Sequence, residues 1–111
     1  MKRSAGVVTG ARSEYGVLRP LLRAIARDPG LELRLYVTGG HLSPRFGMTV
    51  RDIERDGVPI AARIPILGGG VATAQDAARA FARGVTGFSR LFAARKPDLL
   101  LVMSDRYEML A

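Results

Sequence analysis

Apolar residues change their spacing along this chain in a regular alternation of short runs and helical repeats. Ala5-Gly6-Val7-Val8 is a continuous apolar run, which predicts a short buried strand. Thr9 to Tyr15 reads as a loop. From Gly16 to Arg27, Leu18, Leu21, Leu22 and Ile25 recur at threes and fours opposite Arg19, Arg23 and Arg27, an amphipathic helix closed by Asp28-Pro29-Gly30. Leu31, Leu33, Leu35 and Val37 then alternate with Glu32, Arg34 and Tyr36, the period of a half-exposed strand that ends at the turn-rich Thr38-Gly39-Gly40-His41. Thr49 to Asp56 predicts a short helix stopped by Gly57, and Pro59 to Leu67 a third strand, placed near an edge by Pro65. After the link Gly68-Gly69-Gly70, the residues Val71, Ala74, Ala78, Phe81, Val85, Phe88 and Phe92 predict a long helix from Val71 to Arg95 with one buried face. Lys96-Pro97-Asp98 breaks it before a fourth strand, the continuous run Leu99-Leu100-Leu101-Val102-Met103.

Strand and helix alternate throughout, so the expected fold class is α/β: a Rossmann-like parallel sheet with right-handed crossovers. The first and fourth strands are continuously apolar and are expected to be central, whereas the second alternates and the third carries Arg63 and Pro65. That ranking suits the strand order 3-2-1-4 of a nucleotide-binding half. The switch point then falls between the first and fourth strands. The loops meeting there, Thr9 to Tyr15 and Ser104 to Glu108, would bring Arg12, Glu14, Asp105 and Arg106 together. No repeat or linker competes with a single domain over residues 1–111.

Composition narrows the functional classes. With 111 residues, 48% hydrophobic and 24% charged, the chain has the make-up of one globular domain. Its net charge of +7 raises a nucleic-acid partner. The arginines of the two long helices, however, fall on solvated faces, and the few aromatics do not interleave with them as stacking platforms would. No nucleic acid is therefore expected. No stretch approaches the roughly 20 apolar residues of a membrane span and the start is not secretory, so the expectation is a cytoplasmic protein without a membrane partner. With no cysteine and His41 as the sole histidine, neither a thiolate nucleophile nor a metal site is expected.

The chemistry collects at strand ends. Thr9-Gly10-Ala11-Arg12-Ser13-Glu14-Tyr15-Gly16 lacks the three-glycine dinucleotide fingerprint, so no nicotinamide or flavin cofactor is expected. It suits phosphate, because the following helix points free amides at the loop and Arg12 can add a bidentate charge. Arg12 and Glu14 paired on a surface turn is the other reading. Asp105 sits where a strand delivers a working acid, or it caps a helix with Glu108 as its capping-box partner. His41 either borders the cleft or is a structural hydrogen-bonder.

These residues, in this order, resemble a family. Val7 to Gly16, Val37-Thr38-Gly39-Gly40-His41-Leu42-Ser43-Pro44-Arg45-Phe46-Gly47, Ile53-Glu54-Arg55-Asp56-Gly57, Lys96 to Val102 and Asp105-Arg106-Tyr107-Glu108 are similar, in register, to the hydrolysing UDP-N-acetylglucosamine 2-epimerases of sialic-acid-type sugar synthesis. The resemblance implies the N-terminal half of a glycosyltransferase-B-type fold, with the C-terminal nucleotide-binding domain absent from this chain. It implies a UDP-N-acetylglucosamine substrate, or a related N-acylated sugar nucleotide. UDP would leave by elimination across carbons 1 and 2, and water would add to yield N-acetylmannosamine. Asp105 matches the acid loop's aspartate as the catalytic residue, and Arg12 matches an arginine on the nucleotide's phosphates. Glu14, His41 and Arg106 complete the expected substrate-binding set. Ser104 stands where the family usually has glycine, and further catalytic acids would lie beyond Ala111. A full-length protein would be a homodimer, and these 111 residues alone would not turn over substrate. The alternative is a non-catalytic remnant that keeps only phosphate or sugar-nucleotide binding.

Overall fold

The computed structural model describes residues 2–43, 47–67 and 73–103. Among the described residues four strands and three α-helices follow one another as β1 (Arg3–Thr9), α1 (Arg12–Arg27), β2 (Leu31–Thr38), α2 (Val50–Arg55), β3 (Ile60–Ile64), α3 (Ala74–Ala94) and β4 (Leu99–Leu101), with a 3-10 turn at Gly39–Leu42 after β2. All pairings are parallel and the sheet order is β3-β2-β1-β4, the order predicted. Val7 sits opposite Leu35 on one side and Leu101 on the other.

Pleating divides the core into two layers. Ala5, Val7, Leu35 and Val37 point to the side where α1 lays Leu18, Leu22 and Ile25 and α2 lays Val50 and Ile53. Val8 and Tyr36 point to the other side, against Phe88 of α3, with Ala62, Ile64, Leu91 and Phe92 around them. Helices thus cover both faces, as an all-parallel sheet requires. Each large side chain so buried contributes about 1.5–3 kcal/mol. Close approach matters at Gly6, where a Cβ would stand 2.7 Å from Cε2 of the Tyr36 ring.

Several elements differ from the sequence reading. α1 begins at Arg12 rather than Gly16, because Tyr15 is buried one turn before Leu18 and extends the apolar stripe backwards. Arg12 and Glu14 therefore lie on the first helical turn, and the loop shrinks to Gly10 and Ala11. β2 is not half-exposed: Leu35 to Thr38 are buried on both faces, since β1 and β3 flank the strand and helices cover it. On α3 the buried line is Ala80, Gly84 and Phe88, while Ala74, Ala78 and Val85 are exposed. The glycines hid this face, because a position without a side chain does not register as apolar although it admits the closest packing.

α3 starts at Ala74 behind a capping box, in which the Thr73 hydroxyl accepts from the Asp76 amide and the Asp76 carboxylate accepts from the Thr73 amide. The Gly68-Gly69-Gly70 link and Val71 lie outside the described residues. β4 is not central among the described strands. It lies at the end of the sheet beside β1, with Leu99 and Leu100 56% and 42% exposed. It is tied to β1 by Asp98, whose carboxylate accepts from the Ser4 amide at 2.7 Å. That amide holds the Asp98 carboxyl below its ordinary range.

Candidate functional site at the carboxyl ends of β1 and β2

Parallel pairing brings Thr9 level with Val37, so the chain leaves β1 and β2 side by side. The two exits are joined through the backbone: the Gly40 amide donates to the Gly10 carbonyl at 2.8 Å. Gly39 takes φ +61°, the left-handed region that glycine enters without strain. The Gly10 amide, in turn, donates to Glu14 Oε2 at 3.0 Å. Gly10 is therefore held at both ends of its backbone.

Beyond Gly10 the helix α1 opens without a side-chain cap, since its N-cap residue is Ala11. Uncapped first-turn amides and the helix dipole favour an anion at this point. Arg12 stands beside them, with 76% of its side chain exposed and Nε 3.5 Å from Asp52 Oδ2. Asp52 also takes Arg55 at 3.5 Å. Exposed pairs of this kind contribute little to stability, so Arg12 can exchange Asp52 for a stronger anion at small cost.

Arg12 and Glu14 do not form the surface pair that the sequence allowed. Glu14 is buried at 5% exposure, and its Oε1 has no hydrogen-bond partner among the described residues. Its position four residues after Gly10, one helical turn, lets the side chain reach back to the turn it anchors.

His41 is fully buried on the 3-10 turn. Its Nε2 lies 2.9 Å from Thr9 Oγ1 and its Nδ1 lies 2.8 Å from Thr49 Oγ1. The Tyr15 ring meets it edge-on at 6.2 Å. Burial pushes its pKa down to about 4, against the opposing pull of the Ala11 carbonyl and the Asp52 charge. The ring is therefore neutral at neutral pH, with one donor and one acceptor nitrogen. Thr9 donates to the Ala11 carbonyl at 3.5 Å and so accepts from Nε2–H, which leaves Nδ1 to accept from Thr49. Both nitrogens are occupied within the protein.

Between α1 and α2 lies a groove of about 310 Å³ bordered by Arg12, Arg19, Arg55, Asp52 and Asp56. Its floor is ordered by Tyr15, whose hydroxyl donates to Asp56 Oδ2 at 2.5 Å, and by Arg19, which pairs with the same oxygen at 3.0 Å and stacks over the Tyr15 ring. Burial, reinforced by Asp56, raises the Tyr15 phenol above its ordinary pKa; Arg19 opposes the rise.

The structure thus brings Arg12, Glu14 and His41 to one end of the sheet. Asp105 and Arg106, with Ser104 and Glu108, lie outside the described residues. Sequence reasoning missed Thr9, Thr49, Asp52 and Asp56. Threonine and aspartate are common beside turns and helix starts, and only tertiary contact distinguishes these from caps. Among the described residues no cluster of three or more His, Asp or Glu side chains is placed to hold a metal ion, and no helix is long and apolar enough to cross a membrane.

Known proteins resemble this chain in sequence and fold. The chain is 37% identical over 114 residues to the GDP/UDP-N,N'-diacetylbacillosamine 2-epimerase (hydrolyzing) of Campylobacter jejuni, a match covering 99% of this chain and 28% of that protein. It is likewise 37% identical over 113 residues to the UDP-N,N'-diacetylbacillosamine 2-epimerase (hydrolyzing) of Legionella pneumophila, covering 100% of this chain and 29% of the relative. The chain thus spans under a third of the length of these curated relatives, matching their N-terminal part. The crystal structure of a UDP-N-acetylglucosamine 2-epimerase homologue from Listeria monocytogenes superposes with a TM-score of 0.78 at 24% identity, over 98% of this chain and 27% of that one. The likeness places the sheet in the N-terminal half of a glycosyltransferase-B-type fold. The model of the UDP-N-acetylglucosamine 2-epimerase family matches residues 23–111, and the chain belongs to that family.

Proposed function

We propose that these residues form the diphosphate-binding N-terminal part of a hydrolysing sugar-nucleotide 2-epimerase, acting on UDP-N-acetylglucosamine or a close N-acylated relative. The observation that carries this reading is the uncapped N-terminus of α1 beside the exposed, weakly held Arg12, at the carboxyl end of β1. Family membership supplies the chemistry. A base takes the proton from carbon 2 of the sugar while the bond from carbon 1 to the diphosphate oxygen breaks, and UDP carries off the electron pair. Water then adds its oxygen to carbon 1 of the glycal, and carbon 2 receives a proton on the opposite face.

In this reading Arg12 binds the diphosphate, Arg106 contacts the substrate, and Asp105 takes part in proton transfer. Glu14 and His41 serve the substrate through the turns they hold. Glu14 and His41 are both committed to internal hydrogen bonds. The other catalytic acids and the grip on uridine are assigned to the part of the family fold that these residues, matching under a third of the relatives' length, do not span. The active protein is a cytoplasmic homodimer, serving sialic-acid-type sugar synthesis. A second substrate reading, a doubly acetylated sugar nucleotide, is favoured by the two relatives at 37% identity, both named for diacetylbacillosamine.

Release of UDP from the two sugar nucleotides, by the full natural polypeptide and by residues 1–111 alone, tests the proposal. Release by the former and none by the latter is expected. Rapid release by residues 1–111, abolished by Asp105→Asn, contradicts the incompleteness; no release from either substrate by the full polypeptide contradicts the activity.

A further inference from the structure

We infer that His41 is a positioning residue: clamped between the hydroxyls of Thr9 and Thr49, its buried ring locks the turn that aims Arg12 and the α1 amides at the diphosphate of the substrate. The inference rests on the proposed function and adds the residues that build its anion site.

The ring joins three elements. Thr9 is the last residue of β1 and lies just before Gly10 and Ala11, the turn into α1. His41 belongs to the turn after β2, and Thr49 is the N-cap residue of α2. Arg12 opens α1, and its carboxylate partner Asp52 lies in the first turn of α2. The imidazole therefore ties together the starts of the two helices that carry the Arg12–Asp52 pair. The pair itself is too exposed to fix its own geometry, with the Arg12 side chain 76% open to solvent. Two short hydrogen bonds from a fully buried ring supply the rigidity that it lacks.

Other roles fit the geometry less well. A general acid or base needs a nitrogen open to substrate, and both are bonded to threonines. A cationic contact to phosphate needs a protonated ring, which burial opposes. A histidine serving the core alone would affect stability without affecting diphosphate affinity, and that difference is measurable.

The test uses the full natural polypeptide carrying Thr49→Val, which keeps the shape and removes the hydroxyl, and Thr49→Ser, which restores it. Inhibition by UDP and by inorganic pyrophosphate is measured together with KM and kcat for the sugar nucleotide. Thr49→Val is expected to weaken UDP and pyrophosphate about tenfold, with most of the catalytic loss in KM, and Thr49→Ser to recover most of it. His41→Gln, whose amide can donate and accept in place of the ring, is expected to keep every limb of the wild-type pH profile. A Thr49→Val protein with lowered Tm but wild-type inhibition constants and KM overturns the inference and leaves the proposed function intact. A pH limb lost in His41→Gln overturns it in favour of proton transfer. A wild-type protein that neither binds UDP nor releases it refutes the proposed function and this inference with it.

Discussion

Gly39 comes so close to Gly10 that a Cβ built on it would stand 2.7 Å from the Gly10 carbonyl oxygen, at a backbone φ of +61°. The obstacle is backbone, which cannot swing aside. Gly39→Ala must therefore bear left-handed strain of about 1–3 kcal/mol and push apart the turns joined by the Gly40–Gly10 hydrogen bond. Urea unfolding should show a loss of about 2–4 kcal/mol from strain and the disrupted turn together.

His41 makes stability depend on pH in a defined window. The unfolded chain takes up its proton near pH 6.5, whereas the buried ring resists it down to about 4. The contribution is therefore whole above pH 6.5 and is lost as pH falls from 6.5 toward 4, at about 1.4 kcal/mol per pH unit and about 3 kcal/mol in all. His41→Gln should be less stable at pH 7 and lose less stability across that interval. The difference between the two unfolding profiles isolates the histidine from the carboxylates that titrate nearby.

The raised phenol of Tyr15 acts at the other end of the scale. Its proton is held more tightly in the folded chain, so this contribution is present below pH 10 and disappears as pH rises beyond it. An ultraviolet titration should show a tyrosine ionising late, and the late step should vanish in Tyr15→Phe. Loss of the hydrogen bond to Asp56 should cost that variant about 1 kcal/mol at neutral pH.

Two helical glycines should respond in opposite directions. A Cβ at Gly16 on α1 meets nothing within 4 Å, whereas one at Gly87 on α3 meets Ile64 Cγ2 at 2.5 Å. Gly16→Ala should raise stability by about 0.5–1 kcal/mol through helix propensity. Gly87→Ala gains the same propensity but forces α3 from the sheet, for a net loss of about 1–2 kcal/mol. Thermal unfolding of the two variants side by side checks the packing of α3.

The strand order was legible because apolar runs, crossovers and the edge signals at Arg63 and Pro65 all lead to one topology. The burial of β2 was not, because Tyr36 reads as the outward member of an alternating pair until α3 covers that face. Arg12 was legible as a candidate anion ligand from its place after a strand, but its ion-pair partner was not. Asp52 follows it by forty residues and meets it only once α2 packs beside α1. His41 was visible as an isolated histidine at a strand end, while the two threonines that bond its ring carry no signal without the fold.

The most direct measurement is the reaction run in deuterium oxide with the full natural polypeptide, reading the sugar product by proton NMR and mass. Free sugar with inverted carbon 2, carrying one solvent deuterium there and formed with UDP, is expected, at a KM raised at least tenfold by Arg12→Ala. Product that retains its original proton at carbon 2, or turnover indifferent to Arg12, would contradict elimination at a diphosphate site built on the first turn of α1.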